Sequence, residues 1–228
     1  MDYSFLPLFN HKEQSVMFDE EILDYLVALT PKRSDLIEEM EQYAKEHSVP
    51  IMDLVGIESL LQLMQLNPPK RILEIGAAIG YSAIRMATAL PNTEIVTIER
   101  DPERAAKAKS YIEQAGLGNR IHLIEGDALD VVEILEKMPL FDVLFIDAAK
   151  GQYKRFFELY TELIASGGIV YSDNVLFRGL VAKSDVSNKR LSKLAGKIHS
   201  YNQYLMEHPA FLTRVLPIGD GLAVSIKK

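Results

Sequence analysis

The 228-residue sequence contains no cysteine. This absence excludes disulfide bonds, thiolate zinc sites and a cysteine nucleophile. Histidine is scarce, and its five copies are scattered without the short spacings of metal ligands. These are His11, His47, His122, His199 and His208. We therefore expect no zinc site.

Long hydrophobic runs are also absent. No stretch approaches the ~20 apolar residues that a membrane-spanning helix needs. Residues 1–20 lack the basic start, the apolar run and the small-residue cleavage site of an export signal. We therefore expect a cytoplasmic protein with no membrane partner. The formal net charge of −7 argues against non-specific wrapping of nucleic acid, although a net value conceals how the charge is distributed.

The composition, 48% hydrophobic and 25% charged, suits one well-cored domain. We assign residues 1–18 to an N-terminal extension of open role and residues 19–228 to a single domain. Its first part, 19–69, is predicted to be helical, with helices in 19–29, 34–47 and 52–66 that end before Pro68 and Pro69. The core is predicted to span residues 70–228.

From Arg71 onward, short apolar runs alternate with amphipathic segments. This alternation is typical of βαβ units in a parallel sheet that is covered on both faces. A long helix is predicted near 187–207, and the last residues predict two strands closed by a turn at Gly219-Asp220-Gly221. The pattern therefore predicts an α/β fold with a seven-stranded, mostly parallel sheet and a C-terminal antiparallel hairpin.

The first predicted strand, RILEI, runs directly into a glycine turn. Gly76 and Gly80 bracket this turn, where the backbone must bend sharply and let a ligand approach. The spacing is Glu-x-Gly-x-x-x-Gly from Glu74, which differs from the pyrophosphate-binding Gly-x-Gly-x-x-Gly, and no Gly-Lys-Ser/Thr is present. NAD and ATP are both disfavoured.

Two further strand ends carry acids. Glu99 follows the second strand, where a carboxylate can accept hydrogen bonds from both hydroxyls of a ribose. Asp127 and Ala128 follow the third and can face an adenine ring. An acid after a strand is often only a solvated loop residue, but three successive strand ends in register favour binding of a nucleoside without phosphates.

The next two strands end in oxygen-bearing side chains, Asp147 and the pair Asp173 and Asn174. Adjacent strands lie ~4.8 Å apart, so these side chains can converge on one point. Two carboxylates and an amide oxygen suit magnesium, manganese or calcium, whereas the alternative for Asp173 and Asn174 is a turn or a helix cap. Lys150 is close enough to act as a general base or to stabilise an oxyanion, or it is an exposed lysine at a helix start.

Five segments together resemble the cation-dependent O-methyltransferase family, which includes catechol and caffeoyl-CoA O-methyltransferases. They are EIGAAIGYSAIRMA, TIERD, GDA, FIDAAKGQYKRFF and SDNVLFRGLV. The resemblance covers about residues 35–227. Within the family, VPIMDLVGIESLLQ and PIGDGLAVS are most similar to bacterial tRNA 5-hydroxyuridine methyltransferases, which methylate a modified wobble uridine.

The resemblance implies a Rossmann-like class I methyltransferase fold, S-adenosylmethionine and Mg²⁺ as cofactors, and a homodimer. It implies that Asp147, Asp173 and Asn174 hold the metal and that Lys150 and Asp147 serve catalysis, with Lys150 assisting deprotonation. With the two residues of the glycine motif, the predicted cofactor-binding set is Met52, Glu74, Gly76, Ser82, Glu99, Asp127, Ala128 and Asp147.

The charge near the predicted long helix bears on the acceptor. Between Leu176 and His199, six basic residues face one acid, Asp185, which gives a local charge of +5. They are Arg178, Lys183, Lys189, Arg190, Lys193 and Lys197. Helical spacing puts Lys189, Lys193 and Lys197 on one stripe, while Leu191, Leu194, Ile198, Tyr201 and Leu205 mark a packed face.

Such a stripe can neutralise the phosphates of a tRNA anticodon loop, with Phe177 and Tyr153 as candidates for stacking on a base. It can also be merely a solvated face. The competing acceptor is a small catechol-like phenol. The alternative from another class is a nucleoside-binding protein without catalysis, which the presence of Lys150 and the three oxygen donors disfavours.

Overall fold

The computed structural model describes residues 20–183 and 185–228, so the predicted extension, 1–18, lies outside the described residues. Contacts divide the chain into two units, Met1–Lys32 and Arg33–Lys228. The division falls later than the boundary that we placed after residue 18. Helix α1 (Glu20–Leu29) belongs to the first unit. Within the described ranges, no helix is long and apolar enough to cross a membrane.

The second unit contains a seven-stranded sheet flanked by helices. In chain order its elements are α2 (Asp35–Glu46), α3 (Leu54–Leu66), β1 (Arg71–Ile75), α4 (Tyr81–Ala89), β2 (Glu94–Glu99), α5 (Pro102–Gln114), β3 (Ile121–Glu125), α6 (Val132–Leu135), β4 (Phe141–Ile146), α7 (Tyr153–Tyr160), β5 (Ile164–Ser172), α8 (Lys189–Glu207), β6 (Phe211–Leu216) and β7 (Leu222–Lys227). The strand order is β3-β2-β1-β4-β5-β7-β6. Strands β1 to β5 pair in parallel, and β7 is antiparallel to β5 and β6. The predicted fold class is confirmed.

Side-chain caps fix where several helices begin. Ser34 accepts a hydrogen bond from the backbone N–H of Ile37 at α2, and Asp53 accepts one from Gly56 at 2.9 Å at α3. Asp101 and Asn188 each accept two backbone N–H groups at the starts of α5 and α8. Each cap satisfies donors that the first helical turn leaves free.

The central parallel strands β1, β2 and β4 are buried on both faces, as a parallel sheet requires. One core layer packs α2 to α5 against the sheet and includes Met40, Leu60 and Tyr111. The other packs α7 and α8 against the opposite face and includes Phe157 and Tyr201. Because helices cover both faces, polar side chains of the parallel strands are accessible mainly where the strands end.

Two elements differ from the sequence prediction. Leu191, expected on the packed face of α8, is exposed, because the first turn of this helix extends beyond the core and burial begins at Ala195. Strand β5 already begins at Ile164, before the predicted GGIVYSD run. The Nζ of Lys227 donates to the carbonyls of Thr161 and Ile164 and so stabilises this early start.

Removing the Phe157 ring should cost about 3–5 kcal/mol of unfolding free energy, since a large cavity would remain in the core. This ring is fully buried and its centroid lies 4.9 Å from that of Phe211 and 6.2 Å from that of Tyr201. Urea denaturation of Phe157→Ala measures the loss. Leu212→Ala, in neighbouring β6 at a 51% exposed position, is the control. Equal losses in the two variants would contradict this packing.

Candidate active site

A cavity of about 440 Å³ lies at the carboxyl ends of the parallel strands. It is lined by residues that directly follow β1, β2, β3 and β4. Seven members of the predicted cofactor set line it, and so do Lys150 and Asn174. The seven are Met52, Gly76, Ser82, Glu99, Asp127, Ala128 and Asp147.

The glycine turn after β1 is shaped by a close approach to the end of β4. Gly76 has a φ of +103°, and a Cβ built on it would lie 2.2 Å from the carbonyl oxygen of Asp147. Its N–H donates to the carbonyl of Ile98 at 3.0 Å. Glycine is therefore required here by contact with the protein's own backbone, rather than only by the ligand approach that the sequence suggested.

Glu99 is held at the cavity wall by two backbone amides. Its carboxylate accepts from the N–H of Ala78 at 2.8 Å and of Asp101 at 2.9 Å. Each carboxylate oxygen accepts more than one hydrogen bond, so both remain available to ribose hydroxyls. This geometry suits the predicted role.

Glu74 is the member of the predicted cofactor set that does not line the cavity. It is fully buried and accepts hydrogen bonds from the hydroxyls of Ser82 and Thr97. Burial raises the pKa of Glu74 to about 7, an effect that the two hydroxyl hydrogen bonds oppose. Glu74 thus positions Ser82, which does line the cavity.

Several lining residues were not anticipated from the sequence, among them Tyr81, Arg100 and Arg104. A guanidinium nitrogen of Arg100 lies 3.7 Å from a carboxylate oxygen of Asp127. The Asp101 cap accepts from the N–H of Arg104 and fixes the first turn of α5 beside the cavity. The ERDPER segment could have indicated this position. A capping Asp before Pro predicts that a helix starts there, which places Arg104 in the first turn of that helix, beside the strand end.

Three oxygen-bearing side chains meet where β4 and β5 end. The Nδ2 of Asn174 lies 2.7 Å from Asp173 Oδ2 and 3.4 Å from Asp147 Oδ1. The backbone N–H of Asp173 donates to the carbonyl of Ile146 at 3.1 Å, which continues the pairing of the two strands. Asn174 is held at a φ of +61°, a left-handed conformation that Asn tolerates better than most residues.

Electrostatics make this cluster suited to a cation. Burial raises the pKa of Asp147 to about 6, although the charge of Lys150 lowers it. Burial raises the pKa of Asp173 well above its usual value, and the charge of Asp147 raises it further. Two carboxylates and one amide, turned to present its oxygen, form the hard donor set that Mg²⁺ prefers. Among the described residues, no three His, Cys, Asp or Glu side chains form a group that could hold a metal, so any such site here would have to include the Asn174 amide.

Lys150 begins a short 3₁₀ turn, Lys150–Gln152, directly after the β4 strand end. It is half-buried and lines the cavity. Its Nζ lies 6.0 Å from the centroid of the Phe177 ring. Lys150 is therefore not simply an exposed lysine at a helix start, which was the alternative interpretation of the sequence.

The two aromatic residues proposed to stack on a base are both buried. Tyr153 is 1% exposed, with its ring centroid 5.6 Å from that of Tyr201. Its hydroxyl has no hydrogen-bond partner among the described residues. Phe177 is 9% exposed and belongs to the core. Neither presents a free ring face, because both pack into the layer beneath the strand ends, so the stacking prediction was wrong.

The strand order and the position of the cavity match the fold of class I methyltransferases. The O-methyltransferase family model matches residues 14–228, so the chain belongs to the O-methyltransferase family. The family resemblance seen in the sequence is confirmed at this level.

Curated and structural relatives agree with this assignment. The chain is 33% identical to a caffeoyl-CoA O-methyltransferase of Populus kitakamiensis, over 78% of this chain and 77% of that protein. It is 31% identical to a flavonoid 3',5'-methyltransferase of Vitis vinifera, over 82% and 81%. The structure of an O-methyltransferase from Bacillus cereus in complex with SAH matches with a TM-score of 0.79 at 28% identity, over 91% of this chain and 97% of that one.

Replacing Glu74 by Gln should stabilise the protein more at pH 8 than at pH 5. The raised pKa means that the folded state favours the protonated acid, so the stability contribution of Glu74 is lost as pH rises from about 4.5 to about 7. Gln cannot ionise and escapes this loss, which amounts to about 3 kcal/mol. Urea denaturation at both pH values measures it. The exposed Glu133→Gln is the control, and a pH-independent effect of Glu74→Gln would refute the assignment.

Proposed function

We propose that the protein is a Mg²⁺-dependent O-methyltransferase that methylates 5-hydroxyuridine at the tRNA wobble position to 5-methoxyuridine. The observation that carries the tRNA part is a basic helix beside the cavity. The methyl donor and the reaction type follow from the family. The metal and the acceptor are the proposed elements.

The metal would be held by Asp147, Asp173 and Asn174. When bound, Mg²⁺ would lower the pKa of the acceptor hydroxyl and fix the position of its oxygen. Asp147 also lines the cofactor cavity, so the oxygen cluster and the methyl donor would share one wall. This arrangement would bring the acceptor oxygen close to the methyl group.

Lys150 is the residue of this chain best placed to handle the proton. Its Nζ either takes the proton of the acceptor hydroxyl as a neutral amine or, as an ammonium, stabilises the oxyanion that forms when the hydroxyl loses its proton to solvent water. The acceptor oxygen then forms a bond to the methyl carbon while the carbon–sulfur bond breaks. The sulfur retains that electron pair, and the products are a methyl ether and S-adenosylhomocysteine.

Helix α8 borders the cavity. Leu194 of this helix lines it, and the Nζ of Lys197 lies 3.6 Å from where a Cβ on Gly151 would be. Gly151 directly follows Lys150, so the cationic face begins next to the proposed reacting centre. A polyanionic acceptor such as an anticodon loop gains from such a surface, whereas a small neutral phenol does not need it.

The basic residues of this region are available to phosphates. All six predicted tRNA contacts are exposed, and none forms an ion pair with another described residue. They are Arg178, Lys183, Lys189, Arg190, Lys193 and Lys197. Their positive charges are therefore not engaged in close ion pairs with other described side chains.

A small phenol is the second candidate acceptor. It is favoured by the similarity to an enzyme named for flavonoid substrates. The burial of Tyr153 and Phe177 points the same way, because neither ring is free to stack on an unpaired base.

The two acceptors are separated by a labelling experiment. The purified protein is incubated with methyl-labelled S-adenosylmethionine and either hydroxyuridine-bearing tRNA or a catechol, with and without a chelator. We expect label in the tRNA that the chelator abolishes. Rapid labelling of the catechol with none in the tRNA would overturn the tRNA proposal, and chelator-resistant transfer would overturn the metal.

Charge reversal on α8 should discriminate between the acceptors. Lys189→Glu together with Lys193→Glu should lower kcat/KM for tRNA about tenfold or more at low salt, because phosphate contacts are lost. Catechol methylation should stay within about twofold, since a neutral acceptor gains little from long-range charge. The exposed Lys109→Glu on α5 is the matched control. Equal losses on both acceptors would count against a role of this helix in tRNA binding.

A further inference from the structure

We propose that Asp220, in the turn between β6 and β7, is a positioning residue that holds the loop carrying Asn174 in its metal-binding conformation. The inference rests on the proposed function, because it assigns Asn174 as a metal ligand. It gives a role to the Gly219-Asp220-Gly221 turn, which lies outside the cofactor cavity.

The loop that follows β5 has a backbone that needs outside support. Asn174, Phe177 and Arg178 have φ values of +61°, +47° and +54°. Non-glycine residues rarely adopt this region, and such conformations persist only where the surroundings enforce them. Three of them within five positions predict that this segment would not hold its shape alone.

The β6–β7 turn supplies acceptors for three amides of this loop. The carboxylate of Asp220 accepts from the N–H of Arg178, and its carbonyl accepts from Leu176 at 2.9 Å. The carbonyl of Gly221 accepts from the N–H of Val175 at 3.0 Å. The loop thus pairs with the turn through a short backbone ladder that the Asp220 side chain extends by one amide.

The β6–β7 turn packs tightly against two neighbouring segments, so a shift of the turn would move both of them. A Cβ on Gly221 would lie 2.4 Å from Leu176 Cγ, and one on Gly219 would lie 2.4 Å from Asp53 Oδ2. Asp53 caps α3 and directly follows Met52, which lines the cofactor cavity. One turn therefore contacts both the oxygen-bearing loop and the start of the helix next to the cofactor.

Asn174 inherits its orientation from this support. It sits between Asp173, which is tied to β4, and Val175, whose N–H and carbonyl are both bonded. The carbonyl of Val175 accepts from Asn202 Nδ2 of α8 at 2.8 Å. With both neighbours fixed, the Asn174 side chain points at the two carboxylates, and releasing the Arg178 end frees the loop on one side.

The test compares Asp220→Ala, which removes the acceptor, with Asp220→Asn, which keeps an acceptor oxygen at the same place. Amide hydrogen exchange over residues 175–180 is measured on metal-free protein, and Mn²⁺ affinity is measured by electron paramagnetic resonance. Ser34→Ala, which removes the cap of α2, controls for a general loss of stability.

We expect exchange in the loop to rise about tenfold in Asp220→Ala and to stay near the unmutated value in Asp220→Asn. Mn²⁺ affinity should fall about tenfold in the Ala variant only. Unchanged exchange and affinity in Asp220→Ala, or the same changes in Ser34→Ala, would overturn the proposal. Absence of Mn²⁺ binding by the unmutated protein would overturn the proposed metal instead, and the exchange measurement would still decide whether Asp220 holds the loop.

Discussion

The candidate site depends on two carboxylates that neighbouring strands bring together, Asp173 buried and Asp147 partly buried. Ile146 of β4 pairs with Ser172 of β5, so Asp147 and Asp173 are the next pair beyond the last strand residues. Burial raises the pKa of both carboxyl groups, and the charge of Asp147 raises the pKa of Asp173 further. Two ionised carboxylates this close repel each other, whereas a divalent cation bound between them would attract both. Lys150 supplies part of that positive charge within the chain.

The rest of the cavity follows from the same sheet edge. The glycine at position 76 lets the end of β1 pass against the backbone of Asp147, so cofactor turn and oxygen cluster share a contact. Glu99 stands on the other side, fixed by two amides. The site therefore lies where the parallel strands end, and loop 173–178 and helix α8 form the side where we propose that the acceptor binds.

The alternation of apolar runs sufficed to predict the sheet, its antiparallel hairpin and the strand-end residues, because periodicity and chain order determine them. The role of Glu74 was less accessible. A period-two pattern does not tell whether a polar residue within a strand faces a ligand or hydroxyls behind it, and Ser82 and Thr97 bury this one. The predictions that Tyr153 stacks on a base and that Leu191 packs in the core were wrong for a related reason. The exposure of a side chain depends on which elements pack beside it, and helical spacing alone does not reveal that.

We expect Asp147, Asp173 and Asn174 to bind one divalent cation beside the methyl donor. Anomalous scattering from crystals grown with Mn²⁺ and S-adenosylhomocysteine tests it most directly. We expect one strong peak within bonding distance of oxygens from all three side chains, next to the cofactor sulfur. A well-ordered cofactor with no peak at that position, or with a peak elsewhere in the cavity, would contradict it.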